Sequence, residues 1–335
     1  MLNNAIINLS AIKNNALNVK QKLGNSKLCA VVKADAYGHG ASVVANSLYT
    51  IADCFAVAVA EEGFALRQSG IDKDILVLIP VGDQDLLRSI TNRLTLTVEN
   101  LSQALKINNL SKRLGVKTKI HLKVNTGMNR LGLEPSQLPQ FLDSVCKFDG
   151  VLLDGVYSHY ANPQQDDAFN KATDKFLLAN NIVKGYNKRV TAHISASGGF
   201  LKGAYFDMVR VGILLYGYKP FECDFSVQKA MRVYAPVINT KHLSKGQNLL
   251  YGDYSLSKDS VATIVRYGYA DGLPRIKTDG QLNNRCMDVT AVDKKSVKNY
   301  YPIMTDADKV AKQYDTISYE VLTKCSLRAK KIYVY

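Results

Sequence analysis

The sequence predicts an α/β protein: a (β/α)8 TIM-type barrel over residues 8–225, then a smaller, mostly antiparallel β domain over residues 226–335, to which residues 1–7 add. Three observations carry this. Eight short apolar runs alternate with amphipathic stretches, as parallel βαβ units require, and eight suggests closure into a barrel. No G-x-G-x-x-G follows the first run, which counts against an open doubly wound sheet. Near residue 226 the alternation gives way to strand-like runs separated by turn signals.

The barrel strands are read at LCAVV (28–32), CFAVAVA (54–60), DILVLIP (74–80), LTLTV (94–98), KIHLKVN (119–125), LLDGVYSHY (152–160), TAHISAS (191–197) and MVRVGIL (208–214). Helices are expected over LSAIKNNALNVKQKLG, AEEGFALRQSG, VENLSQALKINNLSKRLG and DDAFNKATDKFLLANNIVKGY. In the last of these Phe169, Ala172, Phe176 and Leu177 share one face. Gly70, Gly115 and Gly185 follow helical patterns and are expected just past helix ends. Beyond 226, VYAPVINT, SVATIVRYGYA, MDVTAV and KKIYVY read as strands and DADKVAKQY as a helix. NAIINLS at the start can supply one more extended segment.

At 335 residues and 47% hydrophobic, the chain can bury a substantial core. It has no run of 18 apolar residues and no basic-then-apolar leader, which predicts a cytoplasmic protein without a membrane partner. The six cysteines lack a C-x-x-C pair, so neither a disulfide framework nor a metal site is expected. The formal charge is +14, and residues 226–335 hold 18 Lys/Arg against 10 Asp/Glu. No basic run exceeds two residues and no nucleic-acid module is present, so the charge reads as a soluble basic surface.

Catalytic groups of a parallel barrel collect at the carboxyl ends of its strands. Lys33, Lys123, His159, Ser197 and Arg210 all fall at such ends. One such lysine is ordinarily an interface residue with a snorkelling stem. Five polar groups together make a constellation. A lysine desolvated among cations loses its proton more readily and becomes an amine able to form a Schiff base, for which pyridoxal 5'-phosphate is the natural partner. Ser195–Gly199 and the backbone at Gly212–Ile213 are candidate phosphate-binding turns.

These residues sit in AVVKADAYGHG (30–40), KVNTGMNRLG (123–132), YSHYA (157–161), MVRVGILLYG (208–217), LYGDY (250–254), YGYADG (267–272), RCMD (285–288) and TISYEVL (316–322). Together they resemble the bacterial alanine racemases, the fold-type III pyridoxal-phosphate family, nearly end to end. The resemblance implies interconversion of L- and D-alanine by a two-base mechanism, supplying D-alanine for peptidoglycan, in a homodimer with shared active sites. It implies that Lys33 carries the cofactor and acts as one base, and that Tyr251, from the partner subunit, is the other. Tyr37, Tyr319, Ser197, Gly212 and Ile213 would bind phosphate, and Arg210 would face the pyridine nitrogen. His159 would link Tyr251 to Arg210 and lower the tyrosine's pKa. Arg130 and Met287 would hold the substrate carboxylate, Lys123 would be carbamylated, and Tyr269 would line the entryway.

An arginine keeps its proton, so a pyridine nitrogen facing Arg210 stays unprotonated and the ring remains a weak electron sink. That suits proton return over transamination. The related decarboxylases favour an acidic group there, and a second base is superfluous to them. A racemase of serine or another small amino acid is the other reading, since an apolar wall rejects an added hydroxyl poorly. The chain departs from the family where Ser195-Ala196-Ser197-Gly198-Gly199 lacks an asparagine, where Asn283-Asn284-Arg285 precedes Cys286, and in a Tyr251–Tyr269 link one residue short.

Overall fold

The computed structural model describes residues 2–251, 255–275, 285–292 and 299–335. Its strands are β1 (Asn4–Asn8), β2 (Lys27–Val31), β3 (Cys54–Val57), β4 (Ile75–Val77), β5 (Thr95–Val98), β6 (Thr118–Lys123), β7 (Val151–Tyr157), β8 (Thr191–His193) and β9 (Met208–Val211). They continue with β10 (Met231–Leu243), β11 (Ser260–Val265), β12 (Thr290–Val292), β13 (Tyr300–Met304) and β14 (Lys330–Val334). The chain divides into two compact units. One comprises Ile12–Ala36 and Ala41–Gln228; the other holds the N-terminal residues through Ala11, Tyr37–Gly40 and Lys229–Tyr335.

The first unit is an eight-stranded parallel barrel in the order β8-β7-β6-β5-β4-β3-β2-β9. Hydrogen bonds from Asp207 N to Ala192 O and from Arg210 N to Ser195 O tie the last strand back to β8. The strands are nearly continuous buried apolar runs, as expected when side chains fill one face and helices cover the other. They are also shorter than the apolar runs suggest. β3 ends at Val57, β8 at His193 and β9 at Val211, because the residues that follow leave the ladder to build the barrel mouth. Gly70 and Gly115 do follow helices, with φ of 91° and 68°. Gly185 instead lies inside the helix Asp166–Tyr186, where packing of Phe176, Ala179 and Val183 outweighs its poor propensity.

In the second unit β10 is the spine. Its first half pairs antiparallel with β1, and its second half with β11. β12 extends the sheet beyond β11, and β13 also pairs with β10. β1 and β14 run parallel, the exception in an otherwise antiparallel sheet. The helix expected over DADKVAKQY forms at Ala307–Gln313, and a second, unanticipated from the sequence, follows at Ser318–Lys324.

Candidate active site at the barrel strand ends

β2 ends at Val31, and Lys33 opens a turn of unusual hand. Ala34, Asp35 and Ala36 lie near φ 52°, ψ 49°, and Tyr37 continues at φ 54°. Four successive non-glycine residues in the left-handed region cost about 1–2 kcal/mol each, so the turn needs bracing. Ala36 N donates to Val32 O at 2.9 Å. Ala34 N donates to Glu62 Oε1 at 2.6 Å, and Ala41 N to Asp35 Oδ1 at 2.7 Å. Glu62 is itself fixed by the Ala58 amide on its other oxygen. Lys33 at the head of this turn is half-buried. Burial first, then the Arg130 and Arg210 charges, lowers its pKa, with Glu62 opposing.

Arg210 lies in β9, the strand paired with β2, and is almost fully buried. Its NH1 donates to His193 Nδ1 at 2.7 Å and to His193 O at 3.1 Å. Its NH2 is shared among Ser158 O at 2.7 Å, Ile194 O at 3.0 Å and His159 Nδ1 at 3.2 Å. Both terminal nitrogens are therefore spent on protein acceptors. Among the described residues none accepts from Nε, so Nε–H is the donor left for a ligand.

Lys123 ends β6 and is buried, with Nζ 4.3 Å from the Tyr157 ring centroid. Arg210 Cζ lies 5.2 Å from the same centroid. Burial foremost, then Arg210 and Arg130, pushes the Lys123 ammonium well below the lysine range, with Glu99 opposing. Beyond β6 the chain folds back: Leu133 N donates to Lys123 O, and Gly132 N to Glu99 Oε2 at 2.7 Å. Asn125 Oδ1 accepts from the amides of Gly127 and Asn129, which fixes the loop that carries the exposed Arg130.

Ser197 opens the short helix Ser197–Leu201, and its Oγ accepts from Gly212 N at 3.3 Å. The expected phosphate ligands Ser197 and Gly212 are thus neighbours, with Ile213 buried beside them. Glycine is required at 199, where a Cβ would fall 2.5 Å from Ser195 Oγ.

The remaining expected residues belong to the second unit. Tyr37 and Tyr319 lie with ring centroids 6.1 Å apart. Burial, then its neighbour Tyr319, raises the Tyr37 phenol, and burial pushes Tyr319 up to about 12. Tyr269 N donates to Cys286 O and Ala270 N to Met287 O, which brings Tyr269 and Met287 onto adjoining backbone. At Gly268 a Cβ would meet Met287 O at 1.9 Å. Tyr251 is 70% exposed and Met287 54%. The rest of LYGDY (252–254), and Asn283 and Asn284, lie outside the described residues.

Sequence reasoning missed four groups here: Glu62, Tyr157, His121 and His193. The two histidines were legible in principle. His121 lies two residues before Lys123 on one strand, hence on the same face, and Tyr157 pairs in register with both Lys123 and His193.

Two family profiles match the chain: one described as the alanine racemase N-terminal domain, over residues 7–220, and one as the C-terminal domain, over residues 230–333. A Streptococcus pyogenes protein named alanine racemase is 31% identical over 98% of this chain and 97% of its own length. The structure of a Clostridium difficile alanine racemase superposes with a TM-score of 0.94 at 31% identity, covering 100% of this chain and 96% of that one. A Bacillus anthracis alanine racemase with bound L-Ala-P superposes with a TM-score of 0.89 at 28% identity, covering 99% and 94%.

Proposed function

The chain belongs to the alanine racemase family, and on that premise we propose that it interconverts L- and D-alanine with pyridoxal 5'-phosphate held on Lys33. The observation that carries this reading is the placement of Lys33 just past the end of β2, with Arg210 on the adjoining strand β9: an amine with a lowered pKa, on which the charge of that guanidinium acts, and a guanidinium with one donor unspent.

The residues present fit that cofactor. Lys33 offers an amine that reaches its neutral, nucleophilic form more readily than an ordinary lysine. Ser197 and the Gly212 amide form a hydroxyl and N–H pair suited to phosphate oxygens. Arg210 Nε–H suits an unprotonated ring nitrogen. Bound there, pyridoxal phosphate draws electron density from the substrate Cα and acidifies its hydrogen.

Racemisation needs a proton acceptor on one face of Cα and a donor on the other. Lys33 serves one face and Tyr251, supplied by the partner subunit of a homodimer, serves the other. The exposure of Tyr251 and Met287 in the second unit supports their donation to another chain. His159 prepares the tyrosine. Its Nδ1 accepts from Arg210, so its Nε2 carries the proton. Burial foremost, and then Arg210, keeps that imidazole neutral. An N–H donor of this kind can hydrogen-bond and orient a phenolic oxygen.

Arg130 and Met287 hold the substrate carboxylate, Tyr37 and Tyr319 complete the phosphate site, and Tyr269 lines the entryway. Lys123, crowded by two arginines, is carbamylated, which replaces a repelling cation with an anion. The enzyme works in the cytoplasm, where its D-alanine supplies peptidoglycan synthesis. The test is to incubate purified protein with L-alanine in deuterated buffer and follow circular dichroism and Cα deuterium. Decay of the signal with full exchange, abolished in Lys33→Ala, supports the reading; a stable signal in the presence of added pyridoxal phosphate contradicts it.

A further inference from the structure

Donor arithmetic at Arg210 reaches further than the site. A guanidinium only donates, so His193 Nδ1, 2.7 Å from NH1, must be a bare acceptor. The proton of a neutral His193 then sits on Nε2. That atom lies 2.8 Å from His121 Nδ1, which must in turn accept. The proton of His121 is therefore on its Nε2, which faces Asp154 Oδ2 at 3.7 Å. Every tautomer is fixed from one end, and the chain runs Arg210 to His193 to His121, pointing at a carboxylate.

Two backbone features exist to make this alignment. Asp154 and Gly155 are consecutive on β7, and in a regular strand their side chains would face opposite ways. The β6–β7 pairing skips a residue at this point: Ile120 pairs with Leu153 and His121 with Gly155, so Asp154 is the bulged residue. A bulge of this kind re-aims a side chain, and here it brings the carboxylate to the His121 ring. Gly155 provides the space, since a Cβ there would fall 2.5 Å from both Cε1 and Nδ1 of His121. The His193 ring is held flat against Tyr157, with centroids 4.9 Å apart and planes 6° from parallel.

We propose that Asp154, His121 and His193 form a one-way positioning chain that orients Arg210, and that it holds only while both imidazoles are neutral. If His121 gains a proton, its Nδ1–H meets the Nε2–H of His193. His193 can accept that proton only by moving its own to Nδ1, where it would oppose the Arg210 donor. Acid therefore breaks the chain at the His121–His193 contact.

Charged groups flank the end of the chain. Lys119 lies 4.0 Å from the Asp154 carboxylate and is also paired with Asp74. Lys27 also acts on Asp154. Arg210, His121 and Lys123 add to the dominant effect of burial in keeping His193 neutral. The phenol of Tyr157 closes the fourth side, its ring centroid 6.5 Å from that of His121.

The hydrogen-bond chain is a property of the barrel alone; its effect on turnover rests on the racemase reading. The test is a long-range 1H–15N spectrum of the holoenzyme labelled in its five histidines, with His121→Asn and His193→Asn used for assignment. The expected pattern at pH 8 is a neutral Nε2–H imidazole at both His121 and His193. An Nδ1–H tautomer or a cation at His193 overturns the chain, whatever the activity. The pH profile of kcat/KM then tests the coupling. In Asp154→Asn the chain loses its terminal carboxylate, so the acid limb is expected to move. A limb that stays in place overturns the coupling. Should that variant fail to fold, Gly155→Ala tests the same contact: the crowded ring must turn from His193, and the His193 Nε2–H signal is expected to shift. An unchanged signal there contradicts the proposal.

Discussion

The amide of Ala34 donates to Glu62 Oε1 at 2.6 Å, across 28 residues of sequence. Ala34 immediately follows Lys33 and is the first residue of a left-handed turn that no glycine relieves. Glu62 also takes the Ala58 amide on its second oxygen, so one carboxylate joins the turn to the strand end next door. Replacing Glu62 with alanine removes both bonds and frees the turn toward the ordinary region of the backbone. The expected outcome is a loss of about 1–3 kcal/mol in urea denaturation, with kcat falling more than KM rises because Lys33 loses its aim. A variant of unchanged stability and kcat contradicts this role for Glu62.

Arg210→Lys tests whether charge or donor geometry matters. The guanidinium serves the carbonyls of Ser158, His193 and Ile194 and two imidazole nitrogens, and an ammonium has three donors on a single nitrogen. At least two of these five acceptors are left without a donor of their own. The expected cost is about 2–3 kcal/mol in stability, with weakened retention of pyridoxal phosphate measured by dialysis. Wild-type stability and retention in the lysine variant contradict the account.

Lys123 carries a pH-dependent expectation. Carbon dioxide reacts only with a neutral amine. Burial and the two arginines lower the Lys123 pKa, so the reactive form is present at lower pH than for an exposed lysine. Enzyme prepared free of carbon dioxide is expected to lose most of its activity near neutral pH and regain it with bicarbonate. Labelled bicarbonate is expected to give one carbamate carbonyl signal, absent in Lys123→Ala. Activity indifferent to bicarbonate, with no such signal, contradicts the modification.

On the proposed reading, Tyr251→Phe removes one base and leaves the other. Racemisation is expected to fall at least about 100-fold, while Cα hydrogen exchange in deuterated buffer persists for one enantiomer of alanine. Equal loss of exchange for both enantiomers contradicts an assignment of one base to each face. Because Tyr251 is supplied by a second chain on this reading, dilution to a demonstrated monomer is expected to abolish activity in the unaltered enzyme as well.

The barrel was legible because its strands are buried on both faces and read as apolar runs. The strand-end polar groups stood out against those runs. What the sequence hid is long-range or conformational. Ala34, Asp35, Ala36 and Tyr37 carry no glycine to announce positive φ, and the brace at Glu62 comes from another βα unit. Asp154 reads as an outward residue of an alternating strand, and only the bulge turns it toward His121. His193 reads as part of an apolar strand start, and its partnership with Arg210 appears only when β8 and β9 close the barrel. The residues of the second unit were identified through family resemblance, since nothing in the local pattern distinguishes Tyr251 or Met287 from other exposed side chains.

Two buried or half-buried lysines with lowered pKa compete for the central role, and burial alone favours Lys123 over Lys33. The geometry favours Lys33. Lys123 lies over the Tyr157 ring, whereas Lys33 heads a braced turn just past β2, the strand paired with the one that carries Arg210. The measurement that separates them is borohydride reduction of the pyridoxal-phosphate-loaded protein, followed by proteolysis and mass spectrometry. The account predicts a single phosphopyridoxyl adduct, on the peptide containing Lys33. An adduct on Lys123, or none on Lys33, would contradict it.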